Sequence, residues 1–367
     1  MIDFEEKSLP LLELYEELGY KSETQNEKKI FKKFSSIEEE LNSIYEGVAV
    51  KDVSSRGVIE LRGKDVLDFI NRISTNETGN LAKENIIDTI FTTEKGRIID
   101  LTTLLNFDDF QILICSPENQ HKVVMWIGKY IITDDVKQTN INNKYVMLEV
   151  LGPQADSFMS WVSGNIVNDI QPNTFKIINA EGKIFFLVKM LNKDGKKKFL
   201  IIADPAHATE LVKYMVSNKG PFNFNLIGED AYNIYRVEEG IPIAPNELND
   251  NYNPHEAKLL DAVSFTKGCY IGQEVIARLE TYEKVQKYLM GIIFEDEADP
   301  ADNYLLFDDE GKEAGKITSI VNSYRVKKYI GLTYVKKSFA QEGTKLIAKT
   351  GSGKVVNVEV KNLPFKR

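Results

Sequence analysis

The stretch Ser264–Glu280, SFTKGCYIGQEVIARLE, sets one of the chain's two cysteines between Gly268 and Gly272, with Lys267 two residues ahead of it. A helix is expected over QEVIARLE, where Val275, Ile276 and Leu279 form an apolar face. A thiol just before a helix N-terminus feels the positive end of the backbone dipoles, and the nearby ammonium of Lys267 adds to that field. Both favour the thiolate. Glycines on either side let a ligand approach the backbone closely. The combination suits a nucleophile, a redox thiol or a metal ligand; a cysteine packed in a turn is the plain alternative. Upstream, YRVEEGIP spaces Arg236, Glu238 and Gly240 two apart near a helix end. An arginine there can grip a carboxylate with two donors, and the same charges also read as ordinary surface residues.

Other matches fail on their own chemistry. TGSGKVV (Thr350–Val356) ends like a phosphate-binding loop, but Ala348 replaces the first glycine and Val355 follows the lysine. His255-Glu256 begins like a zinc-protease helix, yet Leu259 occupies the second ligand position. With His121, His207 and His255 scattered alongside two cysteines, no metal site has suitable spacing.

The elements that must position these residues recur in order. A strand Val58–Gly63, a helix opened by Asp65, a hairpin pairing Ile86–Phe91 with Arg97–Phe107, then strand FQILICSP and helix ENQHKVVMWIGKYI form one statement. The second runs from strand Val146–Gly152 through helix PQADSFMSWV and a hairpin turning at Asp194-Gly195 to strand FLIIADP and helix AHATELVKYMV. The spacing between the two is roughly 90 residues. The fold class expected is α+β, with two duplicated α+β modules around a central cavity and a C-terminal antiparallel β-barrel built from six short strands after Lys287. The domains are residues 1–45 (a helical extension serving as a lid), 46–143, 144–285 and 286–367. In this duplication Cys115 matches Ala203, so it reads as a small buried side chain.

The totals bound the function. The 367 residues suit two or three domains at about 150 residues each. A net charge of -9 argues against a broad grip on nucleic acid. No apolar run reaches the roughly 18 residues that span a bilayer, the acidic N-terminus is unlike a secretory or mitochondrial leader, and two cysteines make no disulfide framework. A cytoplasmic setting is expected, without a membrane partner.

KGCYIGQE (Lys267–Glu274) is similar to the signature of YgfZ-type folate-binding proteins, which help maintain iron–sulfur enzymes. From about residue 45 onward the chain resembles the wider glycine-cleavage T-protein (aminomethyltransferase) superfamily, through GVIELRGKD, Ser74–Glu77, FTTEKGRIID, EVLGPQA, Arg236–Gly240 and Asn253–Ala257. It departs from the T-protein pattern at three points. Asp100 matches the first of two consecutive aspartates and Leu101 stands at the second, although a one-residue shift would restore Asp100 to that place; Lys193 replaces the glutamate that holds the pterin; Asp88 replaces a cavity tyrosine.

The resemblance implies Cys269 as the functional thiol, with Lys267 lowering its pKa, and Asp100 as the carboxylate of any transfer chemistry. It places Arg236, Glu238, Asn76, Tyr270, Gly272 and Gln273 among the cofactor-binding residues. It implies tetrahydrofolate or a related folate as cofactor, a transient iron–sulfur cluster shared with a partner, and iron–sulfur client or assembly proteins as partners. The leading expectation is support of cluster assembly or repair. The rivals are a tetrahydrofolate-dependent aminomethyltransferase and a non-catalytic binding module.

Overall fold

Runs of β-branched and aromatic residues on a period of two build the sheets, and the computed structural model describes residues 10–25, 28–191, 197–281 and 284–366. The chain opens with α1 (Leu12–Glu17), a short hairpin of β1 (Glu23–Gln25) and β2 (Lys28–Ile30), and α2 (Ile37–Glu46). Ser36 and Glu39 close a reciprocal capping box at the start of α2, satisfying amides that the helix leaves unpaired. Leu11, Leu14, Tyr15 and Phe31 of this extension are buried in the core of the second module, so it lids that module and not the first.

The first module comprises β4 (Gly57–Arg62), α3 (Val66–Ile73), the hairpin β5 (Ile86–Thr92) and β6 (Ile98–Asn106), then β7 (Gln111–Cys115), α4 (Gln120–Tyr130) and β8 (Lys137–Asn140); the preceding strand, β3 (Val48–Asp52), belongs elsewhere. Its five strands run in the order β5-β6-β7-β4-β8. The second module repeats the plan with β9 (Val146–Leu151), α5 (Ala155–Ser163), the short α6 (Ile166–Asp169), β10 (Thr174–Ala180), β11 (Lys183–Leu191), β12 (Lys197–Ala203), α7 (Pro205–Ser217) and β13 (Phe224–Ile227). The repeat is visible in the helix faces. In α3 the buried residues are Val66, Phe69, Ile70 and Ile73, and in its counterpart α5 they are Ala155, Phe158, Met159 and Val162, the same spacing for one apolar stripe. Cys115 and Ala203 are both buried at strand ends, as the duplication requires.

Three expectations change. Strand β3 leaves the first module and pairs in the second sheet, whose order is β10-β11-β12-β9-β3-β13, lying antiparallel to β9 and parallel to β13. The expected boundary at residue 46 is therefore crossed by the chain. Strand β10 was not anticipated and pairs with β11; the turn at Asp194-Gly195 lies outside the described residues. Asp65 does not cap α3 with its side chain, because its carboxylate accepts the amide of Asp135 at 2.8 Å.

The two sheets pack face to face. Val58, Ile86, Leu105 and Ile112 of the first meet Phe175, Val188, Leu200 and Ile202 of the second. Helix α8 (Glu229–Glu238) and a long loop lead to α9 (Gln273–Thr281) and to β14 (Lys287–Phe294), β15 (Tyr304–Phe307), β16 (Glu313–Asn322), β17 (Tyr329–Lys336), β18 (Lys345–Thr350) and β19 (Val355–Lys361). These six close into an antiparallel barrel, which removes exposed strand edges. Thr350–Val356 is the β18–β19 hairpin turn and not a phosphate loop. Among the described residues no helix is long and apolar enough to cross a membrane.

Candidate functional site

The KGCYIGQE segment is pressed onto the first module. Lys267, 8% exposed, donates from Nζ to the carbonyl oxygens of Asn71 (2.5 Å), Ser74 (2.7 Å) and Asn76 (2.6 Å), and to Asn71 Oδ1 (3.2 Å). Burial pulls its pKa down to about 8, with Glu77 opposing. The expected cation for Cys269 is thus spent on another loop, since four acceptors already compete for its three N–H bonds. The Tyr270 ring is buried beneath that ammonium, with the nitrogen 4.8 Å from the ring centre, and its hydroxyl is pushed up to about 12 by burial.

Gly272 has φ +84, and a Cβ there would meet the Thr93 carbonyl oxygen at 2.7 Å. The glycine is required by the protein's own hairpin turn, not by a ligand. Gly268 faces open space. Gln273 is half-buried as the first residue of α9. Of the side chains from Lys267 to Gln273, that of Cys269 is the exposed one, whereas Cys115 is buried.

Asp100 is sealed inside the first module. It has no exposed surface, and its carboxylate accepts the Ser116 amide at 2.8 Å and the Asn119 side-chain amide at 3.3 Å, tying β6 to the turn before α4. Leu101, next along the strand, turns to the opposite side and packs against the cluster containing Val237 and Tyr270. Burial raises the Asp100 carboxyl to about 6 against these hydrogen bonds. The Oδ1 of Asn119 is also buried without a partner. Asp100→Asn removes the buried charge at the cost of one acceptor, so it should stabilise the fold at pH 7 by about 1 kcal/mol. Urea denaturation checks this; a loss of stability would mean that the carboxylate is ionised for a purpose.

Arg236 and Glu238 do not face a ligand. Arg236, 3% exposed, donates to Asn233 (2.8 Å), Glu247 (3.3 Å) and Ser319 of β16 (2.8 Å), and burial lowers its pKa. Glu238, fully buried, accepts from Tyr45, from Ser323 Oγ at 2.6 Å and from the Arg325 amide at 3.0 Å. Gly240 lies where a Cβ would strike Leu363 at 2.8 Å. All three motif residues therefore fasten α8 to the barrel.

Asn76 is half-buried between the modules' loops, donating to the carbonyls of Asp88 (2.8 Å) and Asp261 (3.3 Å). The inner face of the second sheet carries a charged network that the sequence reading missed. Glu149 accepts from Lys198 (2.6 Å) and Tyr232 (2.8 Å), with Arg56 at 3.8 Å. Burial alone would raise the Glu149 carboxyl, but Lys198 and Arg56 hold it at about 2. A single charge inside the otherwise apolar VMLEVL was the available signal.

A cavity of about 340 Å³ opens beside this network, walled by Ile44 and Tyr45 of α2, the β9–α5 turn, Lys197 and Lys198 of β12, and Tyr235 of α8. Its size is that of a small-ligand site. A second, of about 610 Å³, lies between the end of α9 and the barrel, next to His255 and Lys258. Cys269 lines neither. Lys193 lies outside the described residues.

Comparison with known proteins places this geometry in a family. A solved structure, the glycine cleavage system aminomethyltransferase T from Bartonella henselae, shares the fold with TM-score 0.85 over 98% of both chains at 19% identity. An aminomethyltransferase from Bacillus licheniformis is 27% identical over 98% of this chain and 96% of its own length. One from Staphylococcus carnosus is 26% identical over 86% of each. The GCVT N-terminal domain matches residues 13–267 and the glycine cleavage T-protein C-terminal barrel domain matches residues 287–366, so the chain belongs to the glycine cleavage T-protein family.

Proposed function

We propose that this chain is a YgfZ-type member of the family, which binds a folate-like ligand and supports iron–sulfur proteins through the thiol of Cys269. One observation carries the reading: between Lys267 and Gln273 the exposed side chain is that of Cys269, while the Lys267 ammonium and the Ile271 carbonyl on either side of it are fixed to the first module. A folate-like ligand suits the 340 Å³ cavity in size, and Tyr45 and Tyr235 offer faces to a flat ring, while Lys197 and Lys198 in its wall are paired with Asp156 (2.9 Å) and Glu149 (2.6 Å). Arg236 and Glu238 are not part of that proposal.

A cluster held through thiolates needs more than one ligand of this kind. Cys115 is 2% exposed and unable to contribute, so a cluster is cargo whose remaining ligands come from the client or from a small thiol. Aminomethyl transfer, the activity in the relatives' names, is the second reading. The sealed position of Asp100 weighs against it.

The test is replacement of Cys269 by alanine and by serine in cells lacking the protein, with anaerobic tetrahydrofolate titration of each purified variant. Both variants should keep wild-type stability within about 0.5 kcal/mol and bind folate normally, yet fail to restore iron–sulfur enzyme activity. Full restoration by the alanine variant removes the thiol from the mechanism. Methylene-tetrahydrofolate formation abolished by Asp100→Asn would favour the second reading.

A further inference from the structure

The carbonyls at the end of α3 lack partners within the helix, as at any helix C-terminus. Ile70 O accepts the hydroxyl of Ser74 at 2.8 Å. Asn71 O accepts Lys267 Nζ at 2.5 Å, and Arg72 O accepts the amide of Ile271 at 3.1 Å. Two of these three caps come from the KGCYIGQE segment, almost 200 residues further along the chain. A cation at this end also meets the negative pole of the helix.

The contacts continue past the helix. Lys267 Nζ reaches the carbonyls of Ser74 and Asn76, the amide of Ser264 donates to Thr75 O at 2.9 Å, and Thr75 Oγ1 donates to Ala262 O at 2.6 Å. Cys269 sits midway between the two residues, Lys267 and Ile271, that clamp the helix end. The far side of the same loop is Asn76, fixed to β5 through Thr89 Oγ1 (2.9 Å) and the carbonyl of Asp88 (2.8 Å).

We propose that Lys267 is a positioning residue: its ammonium is the long-range cap of α3, and it joins the loop carrying Cys269 to the loop carrying Asn76 as one rigid body. The role previously open to this lysine, activation of the thiol by charge, is replaced by control of where the thiol points. A mechanical link between the two loops also gives a ligand that touches Asn76 a route to the sulfur. The proposal rests on the proposed function only for its cellular consequence, since the cap itself is a property of the fold.

Amide hydrogen exchange on the purified full chain tests it. In the wild type, the amides of Ser264 and Ile271 should open together with the last turn of α3. In Lys267→Met both should exchange faster by about tenfold or more, the effect of losing a charge-assisted bond, while amides of β9 keep their rates. Lys267→Ala should regain protection when ethylammonium is added and not with tetramethylammonium, which has no N–H to offer the four oxygens. Independent opening of the two loops in the wild type, or unchanged rates in Lys267→Met, overturns the proposal. Should both variants fail to fold, the wild-type exchange pattern alone decides. In cells, Lys267→Met should fall toward the Cys269→Ala level with its thiol intact. If Cys269→Ala complements while the exchange results hold, the proposed function fails and the cap survives.

Discussion

Glu238→Ala is expected to cost about 3–5 kcal/mol of stability, because three donors are left without an acceptor in a buried junction. The carboxylate has no exposed surface and serves Tyr45 of α2, Ser323, and both the amide and the guanidinium of Arg325, whose Nε lies 3.4 Å away. Its own backbone carbonyl accepts the amide of Phe365 at 2.9 Å. Removing the side chain leaves the Tyr45 and Ser323 hydroxyls and the Arg325 amide without their acceptor at the junction of α2, α8 and the barrel, while the Arg325 guanidinium keeps Glu239 and the Phe365 carbonyl, each at 2.7 Å. Arg236→Met should act in the same direction, because Glu247, also fully buried, would lose its guanidinium partner. Equilibrium denaturation in urea with proteolysis of the barrel measures both. A ligand-binding arginine predicts the opposite pattern, unchanged stability with weakened folate binding, and that result would return Arg236 to the cofactor site.

Glu149→Gln should cost about 3 kcal/mol at pH 7. The charge of Glu149 balances Lys198 and Arg56 on the inner face of the second sheet, and the amide keeps the volume but not the charge. The wild-type pH profile carries the same information. The folded carboxyl titrates at about 2, below the unfolded value of roughly 4.3. Its stabilisation is complete above the unfolded value and is lost as pH falls through about 2. Asp100 runs the other way. Its folded value of about 6 lies above the unfolded value near 3.9, so the folded state binds that proton first and gains stability as pH falls between them. Stability should therefore rise from pH 7 toward about pH 4 from Asp100 and drop below it from Glu149. Asp100→Asn should erase the first limb and Glu149→Gln the second; limbs that persist in these variants would assign them to other groups.

The helices α3 and α5, the repeat they mark and all six barrel strands were legible because each rests on a local period in the chain. The short strands β3 and β13 were not, since pairing in parallel with a strand 176 residues away (Val48 with Phe224) leaves no local signature. Strand β10 hid behind exposed Lys176 and Ile177 on an edge, where alternation is weak. Arg236 and Glu238 were read as ligand-binding because charge near a glycine looks the same whether it meets a cofactor or a second domain. Their partners Ser319, Ser323 and Arg325 lie some 80 residues on, beyond any motif window. The exposure of Cys269 was foreseen from its neighbours, whereas the target of Lys267 was not: an ammonium reaching helix carbonyls leaves no pattern in the residues it caps.

The early placement of β3 has a consequence during synthesis. Val48–Asp52 leaves the ribosome before the first module, yet its antiparallel partner is Val146–Leu151 and its parallel one is Phe224–Ile227. At translation speeds of about 5–20 residues per second, this apolar segment waits on the order of 5–20 s for β9 and longer for β13. The first module can condense in that interval, but the nascent second sheet lacks its edge strand beside β3 until the chain has passed residue 227. Chaperone occupancy on stalled nascent chains should therefore persist well beyond the first module and drop only after β13 emerges.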